Sequence, residues 1–282
     1  MGTGCNGANH KNMRRRRWHH WGWLGLAAGW VAASAAEPAC GPHVAALYPF
    51  PPFLRETANR GWEGIDKDMF DELARRTGCE LHLVVESRVR IWEQMRGGSV
   101  AMTLSAIPTP ERQAFADFVP YAQGRNYLML RPDAAQHVKS LAAFEADESL
   151  TLLVVRGYAH GPTLDAAIQR LRSQRRVHEA GDFPALLRMA AAGRAHALLA
   201  TPHTWNDVDA ALAPGPRWTP LDVAPADRAI AALALSLQMP PADRQRLRQS
   251  LQAMMADGSV LNILRRHLGE AAARAALLEP HP

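Results

Sequence analysis

At 282 residues the chain is long enough for one large domain or two modest ones, and 48% apolar with 21% charged residues is an ordinary globular composition. The net charge of +5 does not indicate a nucleic-acid binder, because five of the 32 basic residues lie in the first 36 positions, which contain no acid. The remaining chain is balanced, with 27 basic and 27 acidic residues.

The first 36 residues have the pattern of a secretory leader. Arg14 to Arg17 form a basic block, an apolar stretch follows, and small residues end it at Ala35 and Ala36. We predict a cleavable signal peptide over residues 1–36, translated from Met13, and hence a periplasmic protein. An uncleaved anchor is the alternative, although the stretch is short and rich in Gly and Ala for a membrane span.

Two cysteines, Cys40 and Cys79, remain once the leader is removed. An even pair in an oxidising compartment predicts a disulfide, with two unpaired buried thiols as the alternative. Cys40 is close enough to the apolar stretch for a lipoprotein, but Glu37 and Pro38 stand where a lipobox has apolar or small residues. Nothing has metal-site spacing, and we expect no metal or cofactor.

The first part of the mature chain alternates strands and helices. Asp66 is a candidate N-cap of a helix that ends at Gly78, and its apolar face includes Met69, Phe70 and Leu73. The other predicted elements are a strand over 43–48 that opens into the proline-rich loop PFPPF, a strand over 80–85, a helix over 89–96 and a strand over 101–105. This alternation favours a mostly parallel sheet.

The segment Thr109 to Tyr121, TPERQAFADFVPY, places an arginine at the end of the last of these strands. Pro108 and Pro110 prevent the strand from continuing, so Arg112 lies beside the chain reversal. A guanidinium fixed there can bind a carboxylate through two parallel hydrogen bonds. The alternative is a surface arginine that caps a helix or pairs with a neighbouring acid such as Glu111.

A second alternation follows. The predicted elements are a strand over 124–131, a helix over 138–146, a strand over 150–155, a helix from Pro162, a helix over 183–192, a strand over 196–201, a strand over 229–237 and a helix pair interrupted at Gly258. Gly157 and Gly161 bracket a turn before the helix at Pro162. The N-terminus of that helix is expected to face whatever occupies the turn.

These motifs in this order resemble the amino-acid-binding class, family 3, of periplasmic solute-binding proteins. The carriers of the resemblance are the Pro-Pro-Phe loop, the Gly-x-Asp-x-Asp helix start and the Thr-x-x-Arg segment. The resemblance implies an α/β, two-lobed periplasmic binding protein fold of type II, with two mixed, mostly parallel sheets, flanking helices and two hinge strands near Leu128 and Leu233. Its lobes would comprise 37–129 with the returning 230–282, and 130–229. Val100 and Ala101 depart from the family, which usually has an aspartate there.

The same resemblance implies a ligand site between the lobes. In the family the arginine holds the ligand's α-carboxylate, and backbone N–H groups of the facing turn contact the ligand. The candidate ligand-binding residues are Arg112, Thr109, Ser105, Phe50, Phe53, Trp62, Gly157, Tyr158, His160 and Thr201. For the three aromatic residues of the first lobe, packing within that lobe is the alternative, and for His160 a solvated position.

One expected feature is missing. Members of the family that bind free amino acids place an aspartate on or after the strand that ends at Thr201, because an ammonium leaving water needs a charged partner. Here the positions are Leu199, Ala200 and Thr201, and Asp207 lies too far along the chain to substitute. The sequence therefore leaves open whether the solute carries an ammonium.

The predicted function is capture of a small carboxylate-bearing solute by hinge closure and delivery to the permease subunits of an ABC-type transporter, by a monomer that does not bind nucleic acid. An exported dehydratase on the same fold is one alternative; its general acid or base would come from Glu56, Glu63 or His160, which form no recognisable constellation. A ligand-sensing module for a separate receptor is the other.

Overall fold

The computed structural model describes Met1 and residues 39–278. The chain divides into two units, Met1–Pro38 and Ala39–Pro282. The predicted signal peptide and the start at Met13 belong to the first unit and lie outside the described residues. Within the part that is described, no helix has the length and apolar character needed to cross a bilayer.

Twelve strands are present in the described part of the second unit. They are β1 (His43–Leu47), β2 (Arg55–Glu56), β3 (Trp62–Glu63), β4 (Leu81–Val85), β5 (Met102–Ala106), β6 (Ala116–Gly124), β7 (Tyr127–Leu130), β8 (Leu152–Val155), β9 (Val177–Ala180), β10 (Ala197–Ala200), β11 (Thr219–Leu221) and β12 (Ala229–Ser236).

Eleven α-helices accompany these strands, together with a 3₁₀ turn at Pro202–Thr204. They are α1 (Ile65–Thr77), α2 (Arg88–Arg96), α3 (Pro110–Gln113), α4 (Pro132–His137), α5 (Leu141–Ala146), α6 (Pro162–Ser173), α7 (Phe183–Ala191), α8 (Trp205–Leu212), α9 (Pro241–Ala256), α10 (Ser259–Leu268) and α11 (Glu270–Ala276).

The strands form two mixed five-stranded sheets, which confirms the α/β prediction, but the sheets are not mostly parallel: of the described strand pairs within them, four are parallel and four are antiparallel. Sheet 1 has the order β4-β1-β5-β12-β6 and sheet 2 the order β11-β7-β10-β8-β9. In sheet 1, β1 is parallel to both β4 and β5, and β12 is antiparallel to β5 and β6. In sheet 2, β8 is parallel to β9 and β10, while β7 is antiparallel to β10 and β11. The hairpin β2-β3 lies outside both sheets.

The chain passes between the two sheets twice. It leaves β6 at Gly124 and enters β7 at Tyr127, and it returns between Leu221 and Ala229. The residues near which the sequence placed the hinge strands, Leu128 and Leu233, lie inside strands β7 and β12, where both are buried and paired with neighbouring strands. The crossings are therefore at 125–126 and 222–228, where no ladder hydrogen bonds hold the backbone.

Each sheet has its own apolar core. The central strands β5, β8 and β10 are buried along their whole length, which is typical of strands covered on both faces. Around sheet 1, α1 packs with α9 and α10 through residues such as Phe70, Leu251 and Ile263. Sheet 2 is covered by residues that include Leu164 of α6 and Phe183 of α7.

Two sequence expectations about helices are wrong in detail. The helix expected over 138–146 is the shorter α5, Leu141–Ala146, because Ser140 caps it by accepting a hydrogen bond from the N–H of Ala143 at 3.1 Å. Asp66 is not the N-cap of α1: Gly64 takes that position with a φ of 141°, and Asp66 is a buried residue of the first turn.

The predicted disulfide is present. Cys40 and Cys79 are joined, so the residues that precede β1 and β4 are tied together. Closing a loop of 39 residues contributes on the order of 3 to 4 kcal/mol to the free energy of unfolding.

Candidate functional site

Two cavities lie on either side of the segment Gly157–His160, which joins β8 to α6. The first, here the arginine cavity, is lined by residues that include Thr109, Arg112, Gly157, Tyr158, His160 and Asp165. The second, here the apolar cavity, is lined by residues that include Phe50, Phe53, Ser105, Tyr158, His160 and Thr201. Tyr158 and His160 are shared. Of the ten predicted site residues, nine line one of these cavities, and Trp62 does not.

Arg112 is positioned by the end of β5. The prolines at 108 and 110 end the strand, and the short helix α3 begins with Thr109 as its N-cap, whose Oγ1 accepts from the N–H of Arg112 at 3.3 Å. The guanidinium Nη1 donates to the carbonyl of Ile107 and Nη2 to the carbonyl of Gly157, both at 2.8 Å. Arg112 therefore connects the end of a sheet 1 strand to the facing turn of sheet 2.

The electrostatic setting of Arg112 is unusual. Burial and the neighbouring cation Arg88 lower the pKa of Arg112 to about 10. Its guanidinium lies over the ring of Trp92, 4.3 Å from the centroid. Among the ion pairs of the described residues, none joins Arg112 to a carboxylate, although Asp165 and Glu111 act on its charge from a greater distance.

Arg88 supports this arrangement and was not singled out by the sequence. It is buried, and its guanidinium donates to Thr103 Oγ1 at 3.1 Å and to the carbonyl of Ser105 at 2.9 Å. It also stacks between the rings of Tyr48 and Trp92, with centroid distances of 4.1 and 4.7 Å. Arg88 therefore holds the end of β5 in place. The one sequence signal for its burial is its position in an amphipathic helix.

Ser105, at the end of β5, is the centre of a buried hydrogen-bond network. Its backbone adopts a left-handed conformation with a φ of 49°, and its Oγ donates to Asp66 Oδ1 at 2.7 Å. The Ser105 N–H donates to the hydroxyl of Tyr121, and the hydroxyl of Tyr48 donates to the Ser105 carbonyl. Burial raises the pKa of Asp66 to about 7 and that of Tyr48 to about 12. A left-handed serine held by so many groups fixes the wall of the apolar cavity.

The aromatic residues of the proline-rich loop form a stack that reaches sheet 2. Phe50 is parallel to Phe53 at 5.3 Å between centroids, and it meets Tyr158 and Phe183 edge-on at 5.5 and 5.2 Å. Trp62, in contrast, lies in the hairpin strand β3 and packs against the core of sheet 1. Its alternative reading as a packing residue is the one that the structure supports.

His160 is buried in the turn that separates the two cavities. Its backbone N–H donates to Asp165 Oδ1, and its Nδ1 is 3.3 Å from Asn126 Oδ1. Burial, and to a lesser degree the charge of Arg112, lowers the pKa of His160 to about 4, so the imidazole is neutral at pH 7. The Nε2 atom of His160 has no hydrogen-bond partner among the described residues.

The N-terminus of α6 is already occupied by a carboxylate of the protein. Thr163 donates its backbone N–H to Asp227 Oδ2 at 2.9 Å and its hydroxyl to Asp227 Oδ1 at 2.8 Å. The group that this helix end faces is therefore Asp227, from the return crossing at 222–228.

Thr201 follows β10 and lines the apolar cavity with an Oγ1 that has no hydrogen-bond partner in the described part of the chain. Leu199 and Ala200 are buried in the strand. Asp207 lies further along in α8 and lines a different, more open pocket. No aspartate or glutamate of the described residues lines the apolar cavity.

A model of the bacterial extracellular solute-binding proteins, family 3, matches residues 43–270. The chain belongs to this family. No curated protein matches the sequence. The fold is that of the two-lobed periplasmic binding proteins, as solved structures show.

Three solved structures illustrate the range of this family 3 fold. The solute receptor for L-cysteine of Neisseria gonorrhoeae is 20% identical with a TM-score of 0.69, covering 84% of this chain and 96% of that one. An ancestral amino-acid-binding protein, described as a precursor of cyclohexadienyl dehydratase, is 18% identical with a TM-score of 0.66, covering 80% and 94%. A histidine kinase sensor domain is 14% identical with a TM-score of 0.68, covering 86% and 98%.

The candidate acids for an enzymatic alternative lie away from both cavities of this family 3 protein. Glu56 is exposed in β2, and Glu63 in β3 accepts a hydrogen bond from Arg55 at 2.8 Å. His160 is therefore the one residue of the three proposed acids and bases that lines a cavity. No general acid accompanies it from that set.

Proposed function

We propose that this protein captures a small carboxylate-bearing solute between its two sheets by hinge closure and delivers it to a membrane transporter from the periplasm. The observation that carries the proposal is Arg112, a half-buried guanidinium at a strand end that has no ion pair with a described carboxylate. A cation withdrawn from water is stabilised by an anion, and a carboxylate matches its planar fork.

We expect the solute to bind at the contact between Arg112 and the Gly157 carbonyl. Two of the five N–H groups of the guanidinium donate to backbone carbonyls. A carboxylate oxygen in the place of the neutral Gly157 carbonyl would form a shorter, charge-assisted hydrogen bond with Nη2. The solute would then take over a contact that the empty protein makes with itself.

The two crossings of the chain are suited to closure. The segments 125–126 and 222–228 connect the sheets without belonging to either, so rotation there leaves both cores intact. Groups from both sheets reach the cavities: Phe50, Phe53 and Arg112 from the side of sheet 1, and Tyr158 and His160 from the side of sheet 2.

A transport protein and a sensory protein would bind the solute through the same site, so the identity of the solute does not identify the partner. We favour a transporter because the chain belongs to a family of solute-binding proteins. A receptor would be an alternative partner for the same closed form.

A thermal-shift screen tests the proposal. The purified protein is heated with amino acids, 2-hydroxy acids, 2-keto acids and aromatic acids, and a true solute at about 100 times its Kd should raise Tm by roughly 5 to 10 °C. The Arg112→Ala variant should lose the shift. Arg156→Ala, which removes an exposed arginine paired with Glu179 beside the same turn, should keep it.

Two results would contradict the proposal: no carboxylate in the panel stabilises the protein, or Arg112→Ala binds with full affinity. Chromatography of the incubated solutes addresses the dehydratase alternative, because a new product would show turnover, whereas recovery of the intact solute supports binding alone.

A further inference from the structure

Three residues that line the apolar cavity each carry a polar atom whose hydrogen-bonding capacity is unused. Tyr158 Oη, His160 Nε2 and Thr201 Oγ1 are each buried and lack a hydrogen-bond partner among the described residues. All three residues line this cavity. Buried polar groups in folded proteins are nearly always paired, so three orphans on one cavity point to a ligand that pairs them.

The hydrogen bonds around His160 fix which of its ring nitrogens faces the cavity as an acceptor. Asn126 donates from Nδ2 to the His160 carbonyl at 3.1 Å, which leaves its amide oxygen, Oδ1, beside His160 Nδ1 at 3.3 Å. An amide oxygen accepts and cannot donate, so Nδ1 carries the proton. In a neutral ring Nε2 then holds a lone pair, and it accepts a hydrogen bond.

The charge of the cavity is as informative as its hydrogen-bonding groups. The apolar lining includes Phe50, Phe53 and Leu264, and no aspartate or glutamate of the described residues is part of it. Asp66, whose Oδ1 accepts from Ser105, stands behind that serine and does not line the cavity. A ligand ammonium would leave water here without a carboxylate partner, whereas a hydroxyl or amide N–H would find an acceptor and lose no charge solvation.

We propose that the solute carries an uncharged hydrogen-bond donor at the position where an amino acid carries its ammonium, with His160 Nε2 and Thr201 Oγ1 as its partners. The solute class is then a 2-hydroxy acid, or an N-acylated acid, with an apolar side chain toward Phe50 and Phe53. This inference rests on the proposed function, since it assigns the carboxylate of the same solute to Arg112.

Matched pairs of ligands test the inference directly. Isothermal titration compares 3-phenyllactate with phenylalanine and 2-hydroxyisocaproate with leucine, because each pair differs in the hydroxyl and the ammonium alone. We expect the hydroxy acid of at least one pair to bind 10-fold or more tightly than its amino acid. Replacing Thr201 by Asp should shift the preference at least 10-fold toward the amino acid by supplying the missing carboxylate.

The Thr201→Val variant is the control, because it removes the hydroxyl without adding a charge. Unfolding curves of Thr201→Val and Thr201→Asp establish that both variants fold. An amino acid that binds as tightly as its hydroxy acid overturns the inference and leaves the proposed function standing. An unchanged preference in Thr201→Asp also overturns it. If no member of either pair binds, the inference fails for these side chains, and the thermal-shift panel decides the proposed function separately.

Discussion

Asp66 is a carboxylate in the first turn of α1 that is 1% exposed. Its Oδ1 accepts from Ser105 Oγ and Tyr121 Oη, while its Oδ2 has no hydrogen-bond partner among the described residues. Burial is the largest influence on this group, and it raises the pKa to about 7 although both hydrogen bonds and Arg88 act in the opposite direction. Near neutral pH, the protonated and ionised forms therefore coexist.

This raised pKa makes stability depend on pH. A carboxyl group whose pKa is higher in the folded than in the unfolded protein contributes stability that is complete below about pH 4 and is lost as pH rises through 7. We expect Asp66→Asn to remove that loss: between pH 5 and 8, the free energy of unfolding of wild type should fall on the order of 2 kcal/mol further than that of the variant.

Urea unfolding at pH 5, 6, 7 and 8 measures the difference. The lowered pKa values of His160, His196 and His203 act in the reverse direction, since their contributions grow as pH rises, but they are common to both proteins and cancel. Parallel pH profiles for wild type and Asp66→Asn would show that Asp66 stays ionised throughout.

At the scale of elements, α6 depends on a residue 64 positions away for its first turn. Asp227 accepts the N–H and the hydroxyl of Thr163, and Gly161 makes the approach possible: a Cβ on Gly161 would lie 2.7 Å from Asp227 Oδ2. The carboxylate also compensates the positive end of the helix. One side chain therefore ties the return crossing to the helix beside the cavities.

Removal of this cap should destabilise the protein by about 1 to 2 kcal/mol, the usual cost of losing an N-cap acceptor. We expect Asp227→Ala to show that loss in denaturant unfolding, and Asp227→Asn, which keeps one acceptor oxygen, to fall between the variant and wild type. Equal unfolding free energies for Asp227→Ala and wild type would show that water replaces the carboxylate without loss.

The capping of α6 also shows what the sequence could predict. The helix itself follows from Gly161, Pro162 and the apolar spacing behind them, and the structure confirms it. That Asp227 occupies its N-terminus could not be predicted, because the contact depends on where the return crossing lies in space. Strands β9 (VHEA) and β11 (TPL) were missed for a related reason: neither contains an apolar run, and it is their pairing with β8 and β7 that makes them strands.

The residues of the candidate site likewise fall into those that the sequence indicates locally and those that it does not. Arg112, Ser105 and the turn at Gly157 were accessible because prolines, glycines and a strand end mark them locally. Arg88 and Asn126 were not, because their roles come from partners distant in sequence: Arg88 from the end of β5, and Asn126 from His160. The meeting of the arginine cavity and the apolar cavity at residues 158–160 is likewise a property of tertiary packing.

At the scale of the whole molecule, the two sheets are held together by contacts that a solute would have to rearrange. Phe50 packs against the cores of both sheets, and Arg112 donates to the carbonyl of Gly157 across the same gap. Aromatic pairs of this kind are worth about 0.5 to 1.5 kcal/mol each beyond their buried area. These contacts therefore join the two sheets directly.

Truncation of Phe50 should shift the solute-free protein toward an open arrangement, because the edge-on contacts with Tyr158 and Phe183 are lost. Small-angle X-ray scattering on protein refolded from denaturant, to remove carried-over solute, should give a larger radius of gyration for Phe50→Ala than for wild type, which as a compact chain should measure roughly 18 Å. Phe118→Ala is the matched control, since the Phe118 ring meets Trp92 on the side of sheet 1. If Phe50→Ala keeps the wild-type radius, the contacts of Phe50 do not hold the two sheets together, and other contacts between the sheets, such as Tyr48 with Tyr158, must do so.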